Sequence, residues 1–254
     1  MLPTPFSSRR ALEWLQNLSR AAGTGKAMVE ADLATLATLL AHAGAEPVDD
    51  ADAAMGARVR GRETGPPWLV CAPAVRAPAE SAARWRPNAH GSGAAVLLTL
   101  LEALTDAPPA QDVLCLLFPA TLDDPEGLEA GNAWAARDLL PLQGVVAVWQ
   151  VAAPGLALDL DLRSLVHPQA RALKHELFSL GQALGHEAFA RGVQTAFPGP
   201  HVPFLERGLA AVPLCASADL AAGSEDDQLA DCSAESLQAV GETLLRFLRG
   251  ERVV

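Results

Sequence analysis

Two short, almost uninterrupted apolar runs constrain the fold of this chain more than any other feature. Val113–Phe118 and Val145–Val151 contain at most one polar residue each, and both are too short for a buried helix. Such runs are typical of central strands in a parallel sheet, because helices cover both faces of that sheet. Shorter runs at Trp68–Ala72 and Ala211–Cys215 predict two more strands.

Segments with apolar residues at helical spacing separate these strands. They predict helices over residues 8–22, 28–43, 90–104, 128–139, 168–184 and 234–249, with a loop over 77–88. Leu alternates with Asp from Leu156 to Leu162, as in a half-exposed strand, and Arg58–Arg62 fits a short edge strand. Strands that alternate with helices predict an α/β fold, a single domain over residues 1–254 with helices on both faces of a mainly parallel sheet.

Charge and cysteine usage narrow the range of partners and compartments. Thirty acidic residues against 19 basic ones give a net charge of −11, which repels phosphate backbones and anionic lipids. We therefore expect no nucleic-acid partner and no membrane association, since no apolar run approaches the ~20 residues of a membrane helix either. The first residues lack the central apolar block of a signal peptide, and four scattered cysteines suit reduced thiols. These features predict a cytoplasmic protein.

Two motif-like segments do not meet the requirements of the sites they suggest. Gly23-Thr-Gly-Lys26 lacks the first glycine and the hydroxyl residue of a phosphate-binding loop. His90-Gly-Ser-Gly93 lacks the flanking glycines of a nucleophile turn. The second segment is better explained by small residues that let a helix begin close to the sheet.

Four segments, in this order along the chain, resemble the glutaminyl cyclase and zinc aminopeptidase superfamily. Asn88-Ala-His-Gly-Ser-Gly-Ala-Ala-Val-Leu-Leu-Thr-Leu-Leu-Glu-Ala-Leu104 is similar to its G-A-x-D-x-A-S-G-V-A-x-L-L-E-L-A-x-x-L helix. Ala170-Arg-Ala-Leu-Lys-His-Glu-Leu-Phe-Ser-Leu-Gly181 resembles the cyclase branch. Pro200-His-Val-Pro-Phe-Leu-Glu-Arg-Gly-Leu209 resembles D-H-[IV]-P-F-L-x-R-G-[IV], and the tail from Asp226 resembles H-T-x-x-D-x-x-x-x-L-D-x-x-S-L.

The resemblance implies a three-layer α/β/α sandwich of the zinc-exopeptidase (phosphorylase/hydrolase-like) type. It also implies a zinc ion held by carboxylate and imidazole ligands, with a Glu nearby as general acid and base. This sequence departs from that pattern at each of those positions, which are occupied by Pro73, Val75, Ala89, Thr121, Leu122, Trp149 or Gln150, and Gly223. We therefore expect no metal site and no cofactor, and we do not expect a zinc peptidase or a zinc glutaminyl cyclase.

A pseudoenzyme is the first functional hypothesis. The fold would then serve as a subunit that binds or stabilises a partner protein in a hetero-oligomer, with a role in a biosynthetic pathway as a further expectation. The candidate binding residues are His90, Trp149, His201 and Phe204. Further aromatic anchors could come from Trp68, Trp85 and the segment 197–204. Each Trp can also be explained by ordinary packing in the core.

A metal-independent enzyme is the alternative. The rebuilt cleft would hold a small amine or peptide-like substrate in line for an intramolecular cyclisation, a contribution that positioning can make without zinc. The candidate acid and base groups are Asp123, Asp124, Glu126 and His201, with His90 beside them. Each also has a structural explanation, because the acidic loop precedes a helix that it could cap and His201 could brace its own loop.

Overall fold

The apolar runs form the centre of a six-stranded sheet in the computed structural model. The structure describes residues 4–23, 45–50, 54–76, 85–124, 127–136, 141–190, 192, 194–196, 198–216 and 227–251. The predicted helix over 28–43, most of the predicted loop over 77–88, and the residues Glu126, Phe197 and Gly223 lie outside the described residues.

Four of the six strands in the main sheet run parallel. The described strands are β1 (Glu46–Asp50), β2 (Ala54–Val59), β3 (Trp68–Arg76), β4 (Val113–Thr121), β5 (Gly144–Val148), β6 (Leu160–Asp161), β7 (Gln194–Thr195) and β8 (Ala211–Leu214). The sheet order is β1-β2-β4-β3-β5-β8, with β1 and β2 antiparallel to their neighbours. β6 and β7 pair separately as a short parallel ladder. The prediction of a mainly parallel sheet is confirmed.

Helices cover both faces of the sheet. The described helices are α1 (Ser8–Gly23), α2 (Pro87–Asp106), α3 (Leu128–Ala135), α4 (Leu162–Val166), α5 (Pro168–Ala183), α6 (Val202–Glu206) and α7 (Ala234–Leu248). Apolar residues of α1, α2, α5 and α7 pack with one set of alternate strand residues, whereas α3 and α6 pack with the other set. Because successive strand residues point to opposite faces, these two cores define the predicted three-layer α/β/α sandwich.

Local sequence features explain the ends of several helices. Ser233 accepts a hydrogen bond from the backbone N–H of Ser236 and caps α7, and Gly250 has the positive φ of a helix C-terminus. A Cβ added to Gly93 would lie 2.0 Å from the carbonyl oxygen of Val148. The glycine therefore lets α2 approach the end of β5, as the sequence indicated.

None of the described helices has the length and the apolar character that a membrane span requires.

Four strand predictions need correction, and three of them concern the main sheet. β2 is an internal strand rather than an edge, and the sheet edge is the polar β1, which the sequence did not indicate. β3 continues through Pro73 to Arg76. Proline lacks the N–H for a hydrogen bond between strands, but β5 pairs with β3 only as far as Cys71, so no such bond to β5 is needed at Pro73. β5 stops at Val148, three residues earlier than predicted.

The alternating segment from Leu156 to Leu162 is not a half-exposed strand. Only Leu160 and Asp161 form a strand, and the side chains of both Asp159 and Asp161 are buried. Elements distant in sequence cover the polar side of this segment, which a local alternation pattern does not reveal.

Candidate functional site

The carboxyl ends of parallel strands form the edge where open α/β sheets usually bind ligands. At this edge β3 ends beside the buried Val75, and β5 is followed directly by Trp149, which is 3% exposed. Leu122, just after β4, packs against the core. Apolar side chains therefore fill three of the positions where the resemblance expects metal ligands or a base.

The turn after β5 is held against the start of α2. Gln150 has φ of 53°, a left-handed conformation that is uncommon outside glycine. The backbone N–H of Val151 donates to Ser92 Oγ at 2.9 Å, and that of Ala152 donates to Asn88 Oδ1 at 2.7 Å. These two bonds fix the turn and, with it, the position of Trp149.

A buried carboxylate–imidazole pair lies beside this turn. His201 Nε2 is 3.2 Å from Asp161 Oδ2, and both side chains are 0% exposed. The same carboxylate oxygen accepts hydrogen bonds from the backbone N–H and the Oγ of Ser164, each at 2.7 Å, so Asp161 also caps the first turn of α4. The pair joins α4 to the segment that precedes α6.

Trp149 and Gly199 determine the orientation of the His201 ring. The imidazole stacks on Trp149 with 6.0 Å between ring centroids and 26° between their planes. A Cβ on Gly199 would lie 2.5 Å from the Trp149 ring and 3.0 Å from His201 Nδ1, so only glycine lets the chain cross here. The ring is therefore held between the indole and Asp161.

The environment keeps Asp161 ionised and His201 neutral. Burial acts to raise the pKa of Asp161, but hydrogen bonds from His201 and Ser164 outweigh it and lower the pKa to about 2. Burial lowers the pKa of His201 below its ordinary value, against the opposing effect of Asp161. A neutral imidazole can donate from Nε2 to Asp161 Oδ2, which is the contact that the structure shows.

Lys174 extends the buried polar network along β8. Its Nζ donates to the carbonyl oxygens of Asp159 at 2.6 Å and Pro213 at 3.3 Å, and it lies 5.0 Å from the centre of the Phe178 ring. Ser164 Oγ also lies 3.1 Å from the carbonyl oxygen of Ala211, so its one hydrogen is shared between that carbonyl and Asp161 Oδ2. Burial lowers the pKa of Lys174 to about 8.

His90 lies at the start of α2 and has a capping contact there. Its Nδ1 accepts a hydrogen bond from the backbone N–H of Arg86 at 2.8 Å, and its ring contacts Trp85 edge-on. Asp227 also caps this helix, because its two carboxylate oxygens accept from the backbone N–H groups of Asn88 and Ala89. A buried acid at a helix N-terminus is stabilised by the helix dipole.

The acidic loop after β4 contacts the start of α3. Asp124 accepts hydrogen bonds from the backbone N–H groups of Leu128 at 3.0 Å and Glu129 at 3.1 Å, whereas Asp123 is exposed. The structure therefore does not bring Asp123 and Asp124 together with His201 in one described cluster, and the capping explanation accounts for the Asp124 contacts.

Phe204 lies in the core on the α3 side of the sheet. It is 1% exposed and contacts the rings of Phe118 and Trp134, with centroids 6.5 and 6.0 Å away. Trp85 is also buried, and Trp68 packs edge-on against Phe247. The aromatic residues proposed as anchors are thus mostly packed inside the described part of the molecule.

Sequence reasoning identified His201 and Trp149 but missed Asp161, Ser164 and Lys174. Asp161 was assigned to the exposed side of a strand, and Lys174 was treated as part of an ordinary amphipathic helix. One signal was present: Asp161 and Ser164 have the spacing of a helix N-cap and its N3 residue. Their partner His201 lies 40 residues away, so the pair itself is a tertiary feature.

The described side chains do not fit a catalytic zinc ion, which requires about three nitrogen, oxygen or sulfur ligands. In the part of the chain that the structure describes, no three His, Cys, Asp or Glu side chains are grouped to hold a metal. Asp161 and His201 supply one carboxylate and one imidazole, and their other neighbours include Ser164 and Trp149.

Comparisons with known proteins identify the fold at the level of structure but not of sequence. No family model matches the chain, and no curated protein matches it. Porphyromonas gingivalis glutaminyl cyclase is similar in structure, with a TM-score of 0.79, 18% identity, and coverage of 96% of this chain and 98% of that one.

Two exopeptidases have the same fold. A Zn-dependent exopeptidase from Parabacteroides distasonis has a TM-score of 0.80 and 16% identity over 98% of this chain and 100% of its own. A leucine aminopeptidase precursor from Bacteroides thetaiotaomicron has a TM-score of 0.79 and 12% identity over 99% of both chains. The chain therefore has the fold shared by glutaminyl cyclases and Zn-dependent exopeptidases, as the resemblance in sequence predicted.

Proposed function

We propose that this chain, which has the fold of glutaminyl cyclases and Zn-dependent exopeptidases, is a zinc-independent, non-peptidase subunit that binds and stabilises a partner protein. One observation carries the proposal: α4 exposes two large apolar side chains, Leu162 at 41% and Val166 at 83%. They are four residues apart and so lie on one face of the helix. Exposed apolar side chains on one helix face can form part of a protein contact surface.

The apolar residues described at the carboxyl edge of the sheet support a binding role over a catalytic one. A general acid or base must come within hydrogen-bond reach of its substrate. Asp161 and His201 have no exposed side-chain surface, and the carboxylate of Asp124 accepts two backbone N–H bonds. These groups stabilise the fold in ways that account for their presence without a reaction.

Metal-independent cyclisation of a small amine or peptide-like substrate has less support. It would need the loop with Gly199 and His201 to open, because Trp149 and Asp161 enclose the imidazole. The test is turnover by the purified chain with glutaminyl peptides and aminoacyl amides. We expect no product above the buffer blank. Product formation that His201→Gln abolishes would favour the enzyme instead.

A photo-crosslinking experiment tests the partner surface directly. A benzophenone amino acid placed at Val166 in the native host should give a discrete adduct with one other protein. The same group at Arg9, whose side chain is 90% exposed on α1, is the exposure-matched control and should give none.

A substitution at the same position completes the test. Val166→Asp should abolish co-purification of that partner and leave the thermal midpoint of the chain unchanged, since the side chain is exposed. A partner that co-purifies equally well with Val166→Asp would contradict the assignment of α4 as the contact surface.

A further inference from the structure

A cleft of about 630 Å³ lies against α5, between the end of α4 and the segments around β6 and β7. None of the candidate site residues from the sequence lines it. Its volume falls in the range of ~300–1,000 Å³ that is usual for small-molecule sites. The cleft is therefore large enough for a ligand of 10 to 15 heavy atoms, on the order of a substituted aromatic acid.

The floor of the cleft is apolar and firmly packed. Phe178 and Phe189 meet edge to face, with 5.3 Å between centroids and 78° between planes, and Leu160 adds an aliphatic wall. Gln182 Nε2 donates to the carbonyl of Phe189 at 2.9 Å and fixes the short 3₁₀ helix that carries this ring. Phe178 is 7% exposed and Phe189 is 1% exposed, so a ligand would contact the edge of Phe178 and the side chain of Leu160.

The ionisable side chains that line the described part of the cleft are all basic in type. Arg171 and His175 are four residues apart on α5, hence on one face, and both are exposed. The ammonium of Lys174 lies beneath them, held by the carbonyl oxygens of Asp159 and Pro213. None of the described lining residues is acidic, although the whole chain has a net charge of −11.

We propose that this cleft binds a small carboxylate with an apolar body, such as an arylalkanoate. The apolar body would pack on Phe178 and Leu160, and the carboxylate would face Arg171, whose guanidinium can bind it through two parallel hydrogen bonds. An amine of the same shape is disfavoured by Arg171 and Lys174. The cleft adjoins the partner surface on α4, since Leu165 and Pro168 line it, but the proposal does not rest on that surface.

A matched pair of ligands tests the charge requirement. The purified chain is incubated with 8-anilinonaphthalene-1-sulfonate, an aromatic anion that fluoresces in apolar sites. It is then titrated with 3-phenylpropionate or with the neutral 3-phenylpropanamide. We expect the carboxylate to displace the dye at a concentration at least tenfold lower than the amide, a difference of about 1.4 kcal/mol.

Two variants with matched controls locate the site. Ala172→Trp fills the cleft from an exposed helix position and should weaken dye and carboxylate binding at least tenfold. Gln169→Trp, exposed on the same helix but outside the lining, should leave both unchanged. Arg171→Glu should weaken only the anions, and Arg163→Glu provides the charge-matched control.

Three results would overturn the proposal. The first is a chain that binds neither the dye nor the carboxylate, while its circular dichroism spectrum indicates a folded protein. The second is equal displacement by carboxylate and amide, which removes the role of charge. The third is unchanged binding in a folded Ala172→Trp variant, which places the ligand elsewhere. None of these results bears on the partner assigned to Val166.

Discussion

At the scale of single residues, the buried ionisable side chains of Asp161, His201 and Lys174 make the free energy of unfolding depend on pH. Burial lowers the pKa of His201 and of Lys174 because it removes water from the charged forms. At Asp161 hydrogen bonds outweigh burial and hold the pKa at about 2. Each shift couples protonation to folding in a different pH range.

We expect the free energy of unfolding to fall as the pH drops below 6.5, the ordinary pKa of histidine. Below this pH the unfolded chain binds a proton at His201 that the folded chain does not bind. The free energy of unfolding therefore falls by about 1.4 kcal/mol per pH unit between the ordinary pKa of His201 and its lower pKa in the folded chain. Asp161 adds a second loss below its ordinary pKa of 3.8. Urea denaturation from pH 7 to 5 measures the first effect.

His201→Gln should flatten that part of the profile, even if it lowers stability at every pH. His175→Gln, which removes an exposed imidazole from the same protein, serves as the control and should keep the slope of the unmodified chain. A slope that remains in His201→Gln would show that another group is responsible.

Lys174 affects the alkaline end of the dependence of stability on pH. Its pKa is about 8 in the folded chain and 10.5 ordinarily, so between these values the unfolded chain retains a proton that the folded chain has released. Stability from this group should therefore rise with pH from 8 to 10.5. Comparison of urea midpoints from pH 7.5 to 10 should show this rise in the unmodified chain and not in Lys174→Met.

Nitrogen NMR gives a direct check of this value, since Lys26 is the other lysine in the sequence. The two Nζ signals are assigned by their loss in Lys174→Met. A Lys174 signal that titrates near 10.5 would contradict the shift.

At the scale of elements, hydrogen bonds from side chains to helix ends connect segments that are distant in the fold. Asp227, close to the start of α7, caps α2, and Asp161 caps α4 while it binds the segment before α6. Asp124 caps α3 from the loop after β4. Of the acidic residues that suggested chemistry, Asp124 thus lies at the positive end of a helix.

Asp124→Ala should destabilise the chain by about 1 kcal/mol, because two backbone N–H groups of α3 lose their acceptors. Asp123→Ala changes the neighbouring carboxylate, which is exposed, and we expect a loss of less than about 0.5 kcal/mol. Chemical denaturation of both variants measures the difference. Equal effects would mean that the cap contributes little to α3.

Sequence patterns predicted the elements whose residues reveal their environment locally. β4, β5 and β8 are apolar throughout and were recognised, as were α1, α5 and α7 from their helical spacing. β1 was missed because its sequence, Glu-Pro-Val-Asp-Asp, has the composition of a turn and forms a strand only by pairing with β2. Asp161 was misassigned because its cover comes from residues that are 40 positions away.

At the scale of the whole molecule, the chain has the expected α/β/α fold, but the carboxyl edge of its sheet differs from the edge that the resemblance implies. Val75, Leu122 and Trp149 pack where metal ligands or a base were expected, and their side chains make the edge part of the core. A protein of this fold that depended on zinc would gain stability from the ion by mass action. This chain has no such donor group among its described residues.

Zinc should therefore leave the thermal midpoint unchanged. We expect the midpoint to shift by less than about 1 °C on addition of either stoichiometric zinc chloride or excess chelator. By comparison, a bound ion at 100 times its dissociation constant would add about 2.7 kcal/mol to the free energy of unfolding. Calorimetry of the purified chain measures both. A rise of several degrees with zinc that the chelator reverses would contradict the absence of a metal site.

The bonds along β8 have a consequence for how other proteins can approach. Ser164 and Lys174 occupy the outward carbonyls of Ala211 and Pro213, and Pro213 has no N–H to offer, so an incoming strand finds no ladder there. The opposite margin of the described main sheet, β1, has the sequence Glu-Pro-Val-Asp-Asp, which includes three acidic residues and a proline. Strand addition is thus blocked at β8 and disfavoured at β1, so these two margins favour association through side chains.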